Sequence, residues 1–363
     1  MTAIPGFVRR SFARLGWQRF SGAADNPQAP PHLPITVLPA ATHVPALDED
    51  WLYWPNPDEH YQAMLAGEAR YWRGGDPLNE LIASQPRTQR RYFAFMNETL
   101  TGDAGTPWYR AITRGRRFAR AASLGSSGGT VEAELLRHGV DEMVLYDLGG
   151  APPAGTYQMP RSVRARCRWE AADLNFAALP EHHFDLILDN SALHHIVNLE
   201  HVLFQIRRAL RPDGVLAVSD YIGPARFQHS QTAREIADAV RRALPASLRR
   251  PGLDCMENAP LGEAWPHSPF ESVRSSDIVP LLHHFFEPAH WIELNGLWFL
   301  LGFKLDPKIY REHACLEWLL RLDLELTRAC VMPATLGVGL FRPRATAATQ
   351  ANRRAALSEE NHP

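Results

Sequence analysis

FARAASLGSSGG, Phe118–Gly129, is the stretch from which the rest of the chain can be read. A short apolar run (Ala121, Ala122, Leu124) enters a turn of Gly125, Ser126, Ser127, Gly128 and Gly129, and a helical pattern, Val131–Leu136, comes next. Strand, glycine-rich turn and helix make the phosphate- or nucleoside-binding opening of a doubly wound α/β sheet. Glycine is needed there because no Cβ can sit where the backbone meets a ligand, and because it tolerates φ > 0. Many glycine turns only connect elements, so the weight falls on the downstream strands and acids and on their distances from the turn.

Downstream, strands and helices alternate. Glu142–Tyr146 (EMVLY) reads as a second strand ending on Asp147, 22 positions beyond Gly125. Nucleoside-binding sheets place a carboxylate roughly 20 residues on, to accept both ribose hydroxyls; a plain turn aspartate is the alternative. Ala165–Glu170 fits a third strand that closes on Asp173, Leu174 and Asn175. Phe184–Leu188 (FDLIL) is an apolar buried strand that stops at Asp189, Asn190 and Ser191. After it, Leu199–Leu210 is a helix with Val202, Leu203, Ile206 and Leu210 at helical intervals. Arg211–Gly214 (RPDG) reads as a turn, and Val215–Ser219 as a fifth strand ending on Asp220 and Tyr221. Strands separated by helices on this spacing make a parallel sheet, whose ligands sit beyond the carboxyl ends of its strands. Gly125, Asp147, Asp173, Asp189 and Asp220 all fall at such ends.

Residues 223–285 read as a helical insertion or lid, with helical stretches at Thr232–Leu244 and near Ser272–Leu282. His290–Leu294 and Thr335–Phe341 read as the last strands, closing a sheet segment at 286–344. The tail, 345–363, is polar and alanine-rich, and is expected to be disordered. Upstream, eight prolines in residues 24–58 predict an extended arm with an aromatic end (Trp51, Tyr53, Trp54). Helices at about 58–72 and 86–100 complete a cap over residues 1–116. In it, Tyr71, Trp72 and Arg73 either line a substrate pocket or pack as core.

With these elements in place, the chain resembles the class I S-adenosylmethionine-dependent methyltransferases. SLGSSGG is similar to that family's glycine motif, with Ser123 near the place where an acid is common and Ser127 at the middle glycine. FDLILDNSALHHI, the following helix and ALRPDGVLAVSD look very like the family's fourth strand, helix and fifth strand. SPFESVRSSDIVPLLHHFF is similar to segments of methyltransferases from bacterial glycan and natural-product clusters. The resemblance implies a Rossmann-like, doubly wound, mostly parallel seven-stranded α/β sheet, with its cofactor-binding core at 117–222. It implies S-adenosyl-L-methionine held by Gly125, Ser126, Ser127 and Gly129, with Asp147 on the ribose. Asp173 and Leu174 would border the adenine, and Asn190 and Ser191 would sit beside the methionine moiety.

Composition narrows the partners. The net charge of −2 over 363 residues leaves no basic surplus for nucleic acid. Four widely spaced cysteines (Cys167, Cys255, Cys315, Cys330) contain no CxxC pair, so they predict reduced cytoplasmic thiols rather than a disulfide framework or a zinc site. No apolar run approaches the ~20 residues of a membrane span. The four arginines before Asp25 resemble a transit or surface helix, but a short packed helix explains them as well. The composition permits a homo-oligomer.

Methyl transfer from a sulfonium is an in-line displacement, in which the protein supplies positioning and electrostatics. An alcohol or phenol acceptor must lose a proton, and histidine suits that task. His194 and His195 follow the fourth strand; adjacent residues point different ways, so one of them, His195, is expected to face the pocket. Tyr221 and Asp220 are further candidates. His182–His183 and His283–His284 have no metal-ligand spacing, and no metal is expected. The expected acceptor is a small molecule, a sugar or natural-product intermediate. A protein methyltransferase and a cofactor-binding protein without methyl transfer are the alternatives.

Overall fold

The apolar runs become seven strands: β1 (Phe118–Leu124), β2 (Val140–Asp147), β3 (Cys167–Ala171), β4 (Phe184–Asn190), β5 (Leu210–Tyr221), β6 (Phe286–Leu294) and β7 (Leu336–Pro343). The computed structural model describes residues 59–73, 90–126, 129–151, 159–251, 258, 268–302 and 304–344. The proline-rich arm, the tail, Ser127 and Gly128 lie outside the described residues. One sheet forms in the order β3-β2-β1-β4-β5-β7-β6. It is parallel from β3 to β5, and β7 runs antiparallel to both its neighbours. This is the mostly parallel, doubly wound seven-stranded α/β arrangement expected from the sequence.

The helices are α1 (Glu59–Arg73), α2 (Arg90–Thr101), α3 (Trp108–Ile112), α4 (Thr130–His138), α5 (Arg161–Arg164), α6 (Leu199–Ala209), α7 (Gln231–Ala243), α8 (Ile278–Phe285), α9 (Gly296–Gly302) and α10 (His313–Arg328). Both faces of the sheet are covered at its centre, which is why β4 and the Val215–Val218 part of β5 read as near-continuous apolar runs. On one face, Ala122, Leu124, Ile187, Leu216 and Val218 pack with Leu199, Val202 and Ile206 of α6 and Ile278 and Leu282 of α8. On the other, Ala121, Met143, Leu145, Leu186, Leu188 and Ala217 meet Ala133, Leu135 and Leu136 of α4. Neighbours in sequence go to opposite faces, as the period of two requires.

A third core joins α7, α9 and α10 through Ala233, Ala237, Leu297, Leu301, Leu316 and Leu319. Asp323 of α10 fixes their geometry. Its buried carboxylate accepts the N–H groups of Asn295 (3.1 Å), Leu297 (2.6 Å) and Trp298 (3.0 Å), which satisfies orphan donors at the start of α9. Helix α2 packs beside it, with Met96 and Leu100 against Leu294 and Val338.

Two boundaries differ from the sequence expectation. The RPDG turn occurs inside β5: Phe184 pairs with Leu210 and Leu186 with Val215, so Arg211–Gly214 loop out while the strand continues. Strand β6 starts at Phe286 rather than His290. Pro288, with no N–H to donate, breaks the register between Pro288 and His290, and an edge strand tolerates this.

The strand order reverses between β1 and β4, and ligands of open α/β sheets sit in the crevice beyond that point. Leu124 of β1 stands opposite both Tyr146 of β2 and Asp189 of β4, so Gly125, Asp147 and Asn190 emerge side by side.

Candidate active site

The glycine turn has the backbone that a close-approaching ligand needs. Gly125 has φ +61, and a Cβ there would stand 2.7 Å from the Cβ of Ala192 in the loop after β4. Gly129, the N-cap of α4, has φ +75 and would place a Cβ 2.2 Å from Met159 Cε. A side chain at Gly125 would clash with Ala192, and one at Gly129 would sit on strained left-handed backbone. Ser123 stands near the place where the family commonly has an acid, and its hydroxyl donates to Glu132 of α4 at 2.7 Å. This bond ties the end of β1 to the first turn of α4. Burial raises the Glu132 pKa, against the hydrogen bond from Ser123.

Asp147 closes β2 and accepts the N–H of Gly149 at 2.8 Å. Asp173, after β3, is more engaged than expected. One carboxylate oxygen accepts the N–H (3.0 Å) and side-chain amide (2.9 Å) of Asn175, and the other accepts Tyr61 Oη of α1 at 2.7 Å. Leu174 is buried beside it. Asn175 in turn accepts the N–H groups of Val197 and Asn198 at 2.9 Å, tying the β3 loop to the β4 loop. Asn190 ends β4 opposite Ser219, and Ser191 turns the chain with φ +61. A turn with glycine at both ends, Gly125 and Gly129, flanked by a carboxylate one strand away, suits the close approach of a nucleoside cofactor. The residues present fit S-adenosylmethionine.

Next to this turn lies a cluster of imidazoles and carboxylates. Asp189 is fully buried, and its Oδ1 accepts the N–H groups of Ala192 (3.2 Å) and Leu193 (3.1 Å), shaping the short 3-10 turn Leu193–His195. Burial first, and then the charge of Asp220, push the Asp189 pKa up. Asp220 accepts His194 Nδ1–H in a short contact, and also the backbone N–H of Tyr221 at 2.5 Å. Burial opposes ionisation of Asp220, but the adjacent imidazolium outweighs it and holds the carboxyl low. For His194, burial alone lowers the pKa; the charge and hydrogen bond of Asp220, with Glu271 behind them, override it and raise the value to about 10.

His195 is held in the same way from the other side. Its Nδ1 lies 2.9 Å from Glu68 Oε1 of α1. Glu68 is buried and also accepts Trp72 Nε1 (2.8 Å), Ser268 Oγ (2.8 Å) and the N–H of Phe270 (3.1 Å). Burial opposes its ionisation, and the His195 contact with these donors overcomes it. The Nε2 atoms of the two imidazoles converge on one carboxylate: Glu271 Oε1 lies 3.4 Å from His194 and Oε2 3.7 Å from His195. Trp72 meets the His195 ring edge-on at 5.2 Å, so α1 forms a wall of the cluster.

The structure thus brings together four of the residues singled out as chemical candidates: His194, His195, Asp220 and Tyr221. It corrects the expectation that one histidine of the pair faces inward. Asp220 draws one ring in and Glu68 the other, and the ring centroids lie 4.1 Å apart. Asp220, wholly buried behind His194, positions that ring. The Tyr221 hydroxyl donates to the Pro224 carbonyl at 3.2 Å, and its ring packs on Phe227 and Phe299; burial pushes its pKa far up. Sequence reasoning missed Glu68, Ser268 and Glu271. A signal existed for Glu68, which shares a helical face with Tyr61, Leu65 and Trp72 and so places a charge on a stripe of apolar and aromatic residues. For Glu271 no periodicity marks the residue.

A family model described as a methyltransferase domain matches residues 165–258. Uncharacterized methyltransferases of Mycobacterium bovis and Mycobacterium tuberculosis are 30% identical over 158 residues, covering 35% of this chain and 79% of theirs. Among solved structures, the 1,6-didemethyltoxoflavin-N1-methyltransferase of Burkholderia thailandensis, with bound 1,6-didemethyltoxoflavin and S-adenosylhomocysteine, is 15% identical. The match covers 80% of this chain and 92% of that one, at a TM-score of 0.39. A TehB-like methyltransferase of Corynebacterium glutamicum is also 15% identical, over 70% of this chain and 98% of that one, at a TM-score of 0.34. No helix among the described residues is long and apolar enough to cross a membrane. The chain belongs to the class I S-adenosylmethionine-dependent methyltransferases.

Proposed function

We propose that the protein methylates an oxygen or nitrogen of a small molecule, and that His195 takes the acceptor's proton. One observation carries this reading. His195 is anchored through Nδ1 to Glu68 and directs Nε2 into the cluster, on the loop whose Ala192 touches Gly125. A carboxylate behind an imidazole fixes its tautomer and stabilises the imidazolium that forms when the other nitrogen accepts a proton. His194, already held protonated by Asp220, serves as a hydrogen-bond donor.

The bound cofactor supplies an electrophilic methyl carbon. The chain's own residues orient the acceptor, receive its proton and keep water away. Helix α1 and the segment from Ser268 to Glu271 lie over the histidines, joined by the bonds from Ser268 and Phe270 to Glu68. A covered cluster of this kind suits a metabolite better than a polymer.

The test is a labelled-methyl transfer screen across hydroxylated and aminated metabolites, with His195→Ala alongside the native protein. Loss of a positioned base lowers kcat by roughly 10²–10⁴-fold. Unchanged turnover in His195→Ala removes that residue from the role. Methylation of proteins alone overturns the small-molecule reading.

A further inference from the structure

Each histidine of the cluster is arranged as a metal ligand is arranged. His194 gives its Nδ1–H to Asp220, and His195 gives its Nδ1–H to Glu68. Each ring is thereby locked in one orientation, with Nε2 left to point inward. Metal-ligating histidines almost always donate their other ring N–H to a carboxylate or carbonyl in this way, which fixes the tautomer and raises the basicity of the ligating nitrogen. Both Nε2 atoms then meet the same group, the carboxylate of Glu271.

The spacing is too wide for direct charge-assisted hydrogen bonds and leaves room for an ion among the three groups. Direct charge-assisted N–H···O bonds close to about 2.7–2.9 Å. Here the separations are 3.4 and 3.7 Å, and the three ligand atoms all lie within 4.8 Å of one another. Ligands about 2.0–2.2 Å from a tetrahedral ion stand about 3.3–3.6 Å apart. The outer carboxylates are themselves satisfied: Glu68 by Trp72, Ser268 and Phe270, Asp220 by the backbone of Tyr221. The outer carboxylates can stay in place while the two rings close on the ion and His194 Nε2 gives up its proton to it.

We propose that His194, His195 and Glu271 form a three-ligand site for a divalent transition-metal ion of the zinc class. Two imidazoles and one carboxylate favour zinc, cobalt or iron over magnesium and calcium, which prefer all-oxygen shells. Three protein ligands leave a fourth position open, as in catalytic rather than structural sites. The proposal departs from the sequence expectation of no metal, which looked for linear motifs such as HExxH. Here the third ligand comes from a segment more than seventy positions away.

Only the role of the ion rests on the methyl-transfer reading. In that role the ion binds the acceptor's hydroxyl at its open position and lowers its pKa; His195 as ligand and His195 as the base proposed above are alternatives, which the titration below separates. A coordinated R–OH gives its proton to solvent. Its oxygen pair then forms the new O–CH3 bond, while the pair of the breaking C–S bond stays with the cofactor sulfur.

The full-length protein, stripped with chelator, is titrated with zinc chloride and separately with cobalt(II) chloride, with S-adenosylhomocysteine binding measured on every sample as the check on folding. The expected result is one ion per chain and the visible absorption of tetrahedral cobalt. Zinc affinity should be at least tenfold weaker in Glu271→Gln and in His195→Gln, with S-adenosylhomocysteine binding retained. If Glu271→Gln loses that binding, His195→Gln and the cobalt spectrum still decide the matter. Failure of the native protein to bind either metal while it binds S-adenosylhomocysteine overturns the site and leaves His195 as the base. A bound ion without methyl transfer to any acceptor upholds the site and sinks the functional reading.

Discussion

Ser268 and Glu68 are 200 positions apart, yet the Ser268 hydroxyl stands 2.8 Å from both oxygens of the Glu68 carboxylate. This contact, with the Phe270 N–H beside it, fastens α1 to the segment that carries Glu271. A helix from the N-terminal third and a loop of the insertion thereby form one wall around the histidines, whose other side is the end of β5.

Replacing Glu68 by alanine leaves Trp72 Nε1, the Ser268 hydroxyl, the Phe270 N–H and His195 Nδ1 buried without their acceptor. Each buried donor left unpaired costs about 1–3 kcal/mol, though relaxation makes the sum sub-additive. Glu68→Ala should lower unfolding free energy by about 3 kcal/mol in urea titration, and Glu68→Gln by clearly less, because an amide oxygen still accepts. Equal losses in the two variants would deny the carboxylate its role as hub.

Acid should weaken the fold partly through His229. Burial first, then the charge of Arg234, depress its pKa to about 4, while the side chain lies against the Phe299 ring. A histidine depressed in the folded state takes up its proton more readily when unfolded. Its contribution is therefore intact above pH ~6.5 and is lost as pH falls from there toward 4. The loss should approach about 2–3 kcal/mol, the shift converted at 1.36 kcal/mol per unit and reduced for partial solvent access. Carboxylates titrate in the same window, so the quantity to measure is the difference between the native protein and His229→Leu. A difference that does not change between pH 7 and 4 contradicts the assignment.

Gly125→Ala forces a side chain into φ +61 and against Ala192. The left-handed backbone alone costs about 1 kcal/mol, and the clash adds to it. Because the turn is also where the cofactor approaches, S-adenosylhomocysteine affinity should fall by more than stability does. Gly115 also has positive φ, at +74, but nothing lies within 4 Å of a Cβ there. Gly115→Ala is therefore the control for backbone strain without the clash, and should leave affinity unchanged.

Asp323→Ala removes three hydrogen bonds at the start of α9. Thermal unfolding should show a loss of about 2–4 kcal/mol, whereas Asp323→Asn should retain part of the stability. The site lies on the sheet, outside the third core, so cofactor affinity at 25 °C should stay within twofold of native.

The parallel part of the sheet was legible because β1, β2, β4 and β5 are largely apolar and end at or beside glycine or aspartate, and their order follows from right-handed crossovers. Gly125, Asp147, Asp173, Asp189 and Asp220 can therefore be placed from sequence alone. What the two histidines do is harder to read. That both face inward depends on Asp220 and Glu68 pulling from opposite sides, and Glu68 arrives from a helix whose packing no local pattern specifies. Glu271 is less legible still, a single acid in a loop whose position is set by the Arg226 guanidinium, which donates to the carbonyls of Pro269 (2.7 Å) and Glu271 (3.1 Å). Sequence periodicity reports secondary structure and its buried faces. It is silent on contacts between segments 200 residues apart.

The most direct test of the cofactor crevice at the ends of β1 and β2 is calorimetric titration of S-adenosylhomocysteine into the native protein, Asp147→Ala and His195→Ala, with NAD as the control ligand. The native protein should bind one equivalent with micromolar affinity and should not bind NAD. Asp147→Ala should bind at least ~10-fold more weakly, because a charge-assisted hydrogen bond to the ribose is worth about 1.5–3 kcal/mol. His195→Ala should bind as the native protein does. Binding of NAD in place of S-adenosylhomocysteine, or an affinity indifferent to Asp147, would contradict the crevice as the cofactor site.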